Sequence, residues 1–134
     1  MPQLIEHIDA IARKKQRDVL YIEFRPESGR LGDARELPLR QQIIEWLEKQ
    51  GIGWQPCGEF ANENRMCSYC GQFYVDVPFT PGDPVYDRLV AYLEQPDGSM
   101  RFAEAVFCAL PLDVAMRNAH HDAPGFWERW AENF

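Results

Sequence analysis

Residues 71–90 read GQFYVDVPFTPGDPVYDRLV and pass from a strand pattern to a helix pattern. The first part, up to Pro78, is rich in aromatic and β-branched side chains, which predicts a β-strand over 71–78. Asp83 then supplies an N-cap and Pro84 suits the first helical position, so a helix is expected to follow. Its apolar residues recur at helical spacing as far as about residue 95: Val85, Tyr86, Leu89, Val90 and Leu93.

The segments on either side of this stretch alternate between strands and helices in the same way. Residues 19–24 are rich in β-formers and predict a strand, and a helix is expected to begin at Pro38 and end at Gly51. A weaker strand is predicted over 53–60, and the last strand over 102–110. The order of the predicted elements is therefore βαββαβ.

This order predicts an α+β fold with a four-stranded antiparallel sheet and two helices on one face, the ferredoxin-like arrangement. The position of Pro56 supports the assignment. A proline cannot donate to a sheet ladder and belongs on an edge strand, and the second strand of this arrangement lies at an edge.

The length of 134 residues suits a single domain, predicted to span 1–134. The domain divides into an N-terminal helix within 1–16, the βαββαβ core over 18–112 and a helical extension over 113–134. Apolar residues at helical spacing place the N-terminal helix over 3–14. Both additions are expected to cover the other face of the sheet or a partner.

The net charge of -7 is concentrated in the second part of the chain. Residues 1–50 carry nine basic and nine acidic side chains, whereas residues 51–134 carry five basic and twelve acidic ones. An acidic surface repels phosphate backbones and anionic membranes and favours basic partners or simple solubility. Asp87 and Glu94 lie off the apolar face of the predicted helix, so we expect them to contact a basic protein partner.

Location follows from what the sequence lacks. The longest apolar runs are far shorter than the roughly 20 residues of a membrane helix, and the N-terminus has no signal-peptide pattern. We therefore expect a cytoplasmic protein with reduced thiols and no disulfide framework.

Cys67 and Cys70 form a C-x-x-C followed by Gly71, a spacing typical of a metal knuckle. Cys57 on the preceding strand is the best third ligand, which predicts a possible zinc site at this end of the sheet. Zinc requires a fourth ligand, and Cys108, His120 or His121 can supply it only if the fold brings one of them close. The alternative is that these cysteines are free thiols near a hairpin turn.

Two tyrosines suggest a different use of the sheet. Residues 20–22 and 71–75 resemble the aromatic strand motifs of RNA-recognition motifs, and strand alternation places Tyr21 and Tyr74 on one sheet face. The second motif lacks its opening basic residue, and an acidic chain weakens phosphate attraction. RNA binding is therefore the third alternative.

Catalytic chemistry has little support in the sequence. His120, His121 and Asp122 are adjacent, but no nucleophile elbow or helical H-x-x-x-H accompanies them. We interpret them as a solvated linker in which Asp122 caps the last helix. The prediction for an enzyme is uncertain and leans towards none.

The C-terminus holds an aromatic stripe, because Phe126, Trp130 and Phe134 recur at helical spacing with Trp127 beside them. We expect this helix to pack on its own sheet. The alternative is that Trp127 and Trp130 bind a partner, since Trp is favoured in interfaces. The leading hypothesis from the sequence is a small acidic protein-binding or regulatory protein without catalytic activity, and a small-molecule or zinc-binding domain is the alternative.

Overall fold

The computed structural model describes residues 5–25, 37–62, 69 and 71–132. It contains a four-stranded antiparallel sheet and five α-helices, so the α+β class is confirmed. The strands are β1 (Val19–Phe24), β2 (Trp54–Pro56), β3 (Phe73–Val75) and β4 (Ala105–Leu110). The helices are α1 (Ile8–Lys15), α2 (Pro38–Lys49), α3 (Pro84–Leu93), α4 (Leu112–Ala115) and α5 (Phe126–Glu132), with a 3-10 helix at Met116–Asp122.

The strand order in the sheet is β2-β3-β1-β4, and all three neighbouring pairs are antiparallel. Pro56 therefore lies on an edge strand, as predicted. Leu20 pairs with Val75 in β3 and with Ala109 in β4, which fixes the register across the centre of the sheet.

One face of the sheet packs against α2 and α3 and forms the larger core. Alternate residues of β1, including Leu20 and Ile22, meet Ile43 and Leu47 of α2 and Leu89 of α3, all at most 1% exposed. Removing such side chains from water is the main stabilising contribution to folding. The two helices also touch each other, because the rings of Trp46 and Tyr92 stack with centroids 4.0 Å apart.

The other face of the sheet is covered in part by α1 and α4. A second, smaller core forms there: Ile8, Ile11, Ala12, Val19, Cys57, Tyr74, Leu110 and Ala115. The expectation that the N-terminal helix covers this face is therefore met.

The N-terminal helix begins later than its apolar spacing predicted. Gly58 accepts from Ile8 N–H at 3.0 Å and donates to the Glu6 carbonyl at 2.8 Å, so residues 6–8 enter a short parallel bridge with the segment after β2. His7 is extended and serves as the N-cap without a side-chain capping bond. The backbone pairing thus uses residues that the sequence pattern assigned to the first turn.

Candidate functional site

A shallow groove runs along the exposed side of α3 and the turn that follows it. Its lining combines two acidic residues with small and apolar ones: Asp87, Val90, Ala91, Glu94, Gln95, Pro96, Gly98 and Arg101. Asp87 and Glu94, which the sequence predicted as partner-binding residues, both line this groove.

The helix presents this face because its opposite face is buried. Asp83 caps α3 by accepting hydrogen bonds from Val85 N–H at 2.9 Å and Tyr86 N–H at 3.2 Å. Leu89 and Leu93 are 0% exposed and point into the core. Positions 87, 90 and 91 therefore share the outer face, since residues three and four apart are neighbours on a helix, and Glu94 follows at the C-cap.

The far wall of the groove is a turn held against the end of α3. Arg101 N–H donates to the Leu93 carbonyl at 2.9 Å, and Gly98 adopts a φ of 89° that suits glycine. Glu94 and Met100 form an isolated antiparallel bridge across the turn. The Asp97 carboxylate also accepts from Ser99 N–H at 2.9 Å within this turn, so backbone and side-chain hydrogen bonds together hold the wall.

The groove lining carries the two carboxylates of Asp87 and Glu94 and the one guanidinium of Arg101. Burial, followed by the negative charges of Glu94 and Asp87, raises the pKa of Tyr86. Arg101 also lines the groove, but its Nε donates to the carbonyls of Ala91 and Glu94, both at 3.1 Å. These bonds satisfy carbonyls at the C-terminal end of α3, where the helix dipole also stabilises a positive charge.

A second polar cluster lies on the sheet face opposite α2 and α3. Tyr21 of β1 pairs with Cys108 of β4, and Glu23 lies two residues further along β1. Cys57 is buried on the same face beside β3. The fold thus places Cys57 and Cys108 close enough to interact electrostatically. The sequence alone left open whether they are close.

These thiols are poor nucleophiles at neutral pH. Burial, with the negative charge of Glu23 next, raises the pKa of Cys57 well above its usual range and that of Cys108 to about 11. Only a thiolate attacks or ligates readily, so both groups are held in the unreactive protonated form.

The predicted zinc ligands are only partly within the described structure. Cys67 and Cys70 lie outside the described residues, whereas Cys57 is 0% exposed. Cys57 N–H donates to the Gln72 carbonyl at 3.2 Å, which places Cys57 beside the chain that directly follows the C-x-x-C motif. Within the described ranges, no three His, Cys, Asp or Glu side chains are grouped so that they could hold a metal ion.

The two tyrosines of the RNA hypothesis do share a sheet face, and they pair directly in the register. Tyr74 is only 2% exposed, and its hydroxyl donates to the Asp76 carboxylate at 2.7 Å. Since a stacking platform needs an open ring face, Tyr74 does not offer one in this arrangement.

The C-terminal aromatic helix packs differently from the prediction. In α5 no residue of the described part is fully buried, and the helix contacts the 3-10 segment. Trp127 has ring contacts with His7 at 5.5 Å, His121 at 4.8 Å and Trp130 at 5.3 Å. The expected packing of this helix on the sheet is replaced by packing on the 3-10 segment and the N-cap of α1.

A buried ion-pair network was not anticipated from the sequence. Arg13 of α1 is 6% exposed and donates to Asp122 at 2.7 and 2.9 Å, to Asp9 at 2.8 Å and to the Ala115 carbonyl at 2.9 Å. Asp9 also accepts from Ala61 N–H at 2.9 Å. The only sequence signal was the i, i+4 spacing of Asp9 and Arg13, which is usually a surface pattern.

This network also corrects the interpretation of the histidine linker. The Asp122 side chain, which was expected to cap the last helix, accepts two hydrogen bonds from Arg13. The segment is a 3-10 helix in which His121 is 4% exposed, whereas His120 is exposed, so the expectation of a solvated linker fails for His121.

Comparisons with known proteins give no further guide: no family model matches the chain, and neither the curated proteins nor the solved structures include a significant match. None of the described helices is both long enough and apolar enough to cross a membrane.

Proposed function

We propose that this protein is a non-catalytic binding protein that recognises a basic segment of a partner protein in the groove beside α3. The observation that carries the proposal is the placement of Asp87 and Glu94 around the small and apolar residues Val90 and Ala91. Carboxylates attract lysine or arginine heads, while an apolar floor accepts the aliphatic parts of the same side chains.

The electrostatics agree with this choice of partner. The second part of the chain holds the whole net charge of -7, so a basic segment is attracted to it before contact. We place the protein in the cytoplasm, a proposal supported by the free thiols of Cys57 and Cys108.

Isothermal titration calorimetry with a short peptide in which lysines alternate with leucines tests the proposal. The double variant Asp87→Arg/Glu94→Arg is expected to weaken binding at least about tenfold, or about 1.4 kcal/mol. Glu45→Arg/Glu128→Arg is the matched control, because it changes net charge equally at exposed positions outside the groove. Equal loss in both variants would show attraction to net charge alone and overturn the groove assignment.

We also infer that the core has the ferredoxin-like arrangement. The order β2-β3-β1-β4 with α2 between β1 and β2 and α3 between β3 and β4 supports this assignment. The remaining face then carries α1 and α4 as additions to that core.

A zinc site is a second candidate, supported by the hydrogen bond from Cys57 to Gln72 directly after the C-x-x-C motif. Cys57, Cys67 and Cys70 would supply three thiolates, and zinc would lower their pKa values by binding. Native mass spectrometry of protein purified without added metal tests this. One zinc per chain, lost in Cys57→Ser, would support the site, and a metal-free mass would contradict it.

A further inference from the structure

β4 is an edge strand of the sheet. β4 lies at one end of the sheet, pairs with β1 on one side, and has no strand on its other side in the described part of the chain. Its sequence AVFCAL contains no charge and no proline. The opposite edge, β2, is short and carries Pro56, which is how native proteins usually block edge pairing.

The backbone groups that face outward can be assigned from one hydrogen bond. Arg25 N–H donates to the Glu104 carbonyl at 2.7 Å, so Glu104 directs its backbone towards the β1 side. Antiparallel ladders alternate, and therefore Val106, Cys108 and Leu110 also face β1. The N–H and C=O groups that point away from the sheet are those of Ala105, Phe107 and Ala109.

Local hydrogen bonds close this outward row at both ends. Ala105 N–H donates to the Phe102 carbonyl at 3.1 Å. Pro111 has no N–H, and its carbonyl accepts from Ala115 N–H at 3.1 Å. Among the described residues, Phe107 and Ala109 are thus the members of this row that keep both a donor and an acceptor for a new strand.

We propose that this protein forms a homodimer in which β4 pairs antiparallel with β4 of a second copy, about a two-fold axis at Cys108. Phe107 then exchanges two hydrogen bonds with Ala109 of the second copy, and Ala109 does the same with the other Phe107. In this register the outward N–H and C=O groups of Phe107 and Ala109 in one copy all bond to those of the second copy.

The side chains favour a second copy over an unrelated peptide. Phe107 is half-buried and Ala109 is exposed, so a large side chain lies opposite a small one on both sides of the axis. The strand is uncharged, which keeps the like charges of two acidic chains away from the seam. The two Cys108 residues face each other at a non-hydrogen-bonded position, where Cα atoms are about 4.5 Å apart.

Light scattering after size exclusion measures the mass. Prolonged oxidation with copper phenanthroline at alkaline pH, followed by peptide mapping, identifies any cross-linked cysteines, because the raised pKa of Cys108 slows its reaction at neutral pH. We expect twice the chain mass of 15.6 kDa and a Cys108–Cys108 cross-link. Ala109→Pro removes an outward N–H without affecting the pairing with β1 and is expected to weaken the dimer at least about tenfold. Ala109→Ser keeps the N–H and is expected to remain dimeric.

A monomer at every concentration would overturn the proposal, as would a dimer that persists in folded Ala109→Pro protein. If that variant fails to fold, the cross-link decides, because a dimer joined through other cysteines places the axis elsewhere. Asp87→Arg/Glu94→Arg is expected to dimerise normally, so failure of the groove proposal and failure of this one are distinguishable.

Discussion

Arg13 joins three separate parts of the chain through one guanidinium group. It contacts Asp9 in its own helix, the Ala115 carbonyl at the end of α4 and Asp122 in the 3-10 segment. Burying a charge is costly unless it is paired and hydrogen-bonded, and here Asp9 is 0% exposed with Arg13 as its charged partner.

Arg13→Met is therefore expected to lower the free energy of unfolding by about 3–5 kcal/mol, because it leaves the buried Asp9 charge without its cation. Lys14→Met is the matched control on the same helix. Lys14 pairs with Glu6 while its side chain is 65% exposed, so its loss is expected to cost less than about 1 kcal/mol. Urea unfolding of the two variants measures both values, and equal costs would contradict the role of the network.

The same network predicts an acid dependence of stability. The Arg13 hydrogen bond holds the pKa of Asp122 below its usual range, and burial of Asp9 is outweighed by bonds from Arg13, Ala61 and Asn118 that lower its pKa. A carboxyl with a depressed folded pKa stabilises the fold above its unfolded pKa of about 3.9, and this stability is lost as pH falls through the folded pKa.

Urea unfolding between pH 7 and pH 3 tests this expectation. The difference in stability between wild type and Arg13→Met should shrink as the pH falls, because protonated Asp9 no longer needs a cation. A difference that stays constant over this range would show that Arg13 acts through packing and not through charge.

At the scale of elements, α5 is held through Trp127 rather than through a buried stripe. Trp127 has ring contacts with His7, His121, Phe126 and Trp130. Trp127→Ala is expected to cost about 1–2 kcal/mol and Trp130→Ala less, since aromatic pairs contribute about 0.5–1.5 kcal/mol beyond burial. Thermal melts of both variants rank them, and a larger loss for Trp130→Ala would contradict this packing.

Local signals in the sequence predicted most elements of the core. Val19–Phe24 matches the predicted strand, and Pro84 with the Asp83 cap starts α3 as expected. Strand lengths were overestimated, because β3 is only Phe73–Val75 within a longer β-rich run. Val77 N–H donates to the Val75 carbonyl at 2.9 Å, so the chain turns after Val75 although the following residues still have high β-propensity.

The candidate sites were less accessible to sequence reasoning. Asp87 and Glu94 could be singled out as candidates because charge opposite an apolar stripe is a local pattern. The groove they share needs the turn at Gly98, and the Arg13 network needs residues that are far apart in the chain. Contacts across such separations depend on tertiary packing, which no local spacing encodes.

At the scale of the whole molecule, we propose that the acidic surface around α3 attracts a basic partner. The charges of Asp87 and Glu94 act over distance before contact, and exposed charges are screened beyond roughly 8 Å at 0.15 M salt. Electrostatic attraction raises association rates more than final affinity.

The most direct test is the stopped-flow association rate of the lysine–leucine peptide with wild-type protein at rising salt. We expect the association rate to fall steeply, by about tenfold or more between low salt and above-physiological salt. The melting temperature of the protein is expected to change little. We also expect that Asp87→Arg/Glu94→Arg flattens the salt dependence of the rate while Glu45→Arg/Glu128→Arg largely preserves it. A rate that is the same at every salt concentration would contradict the claim and leave the acidity as a source of solubility alone.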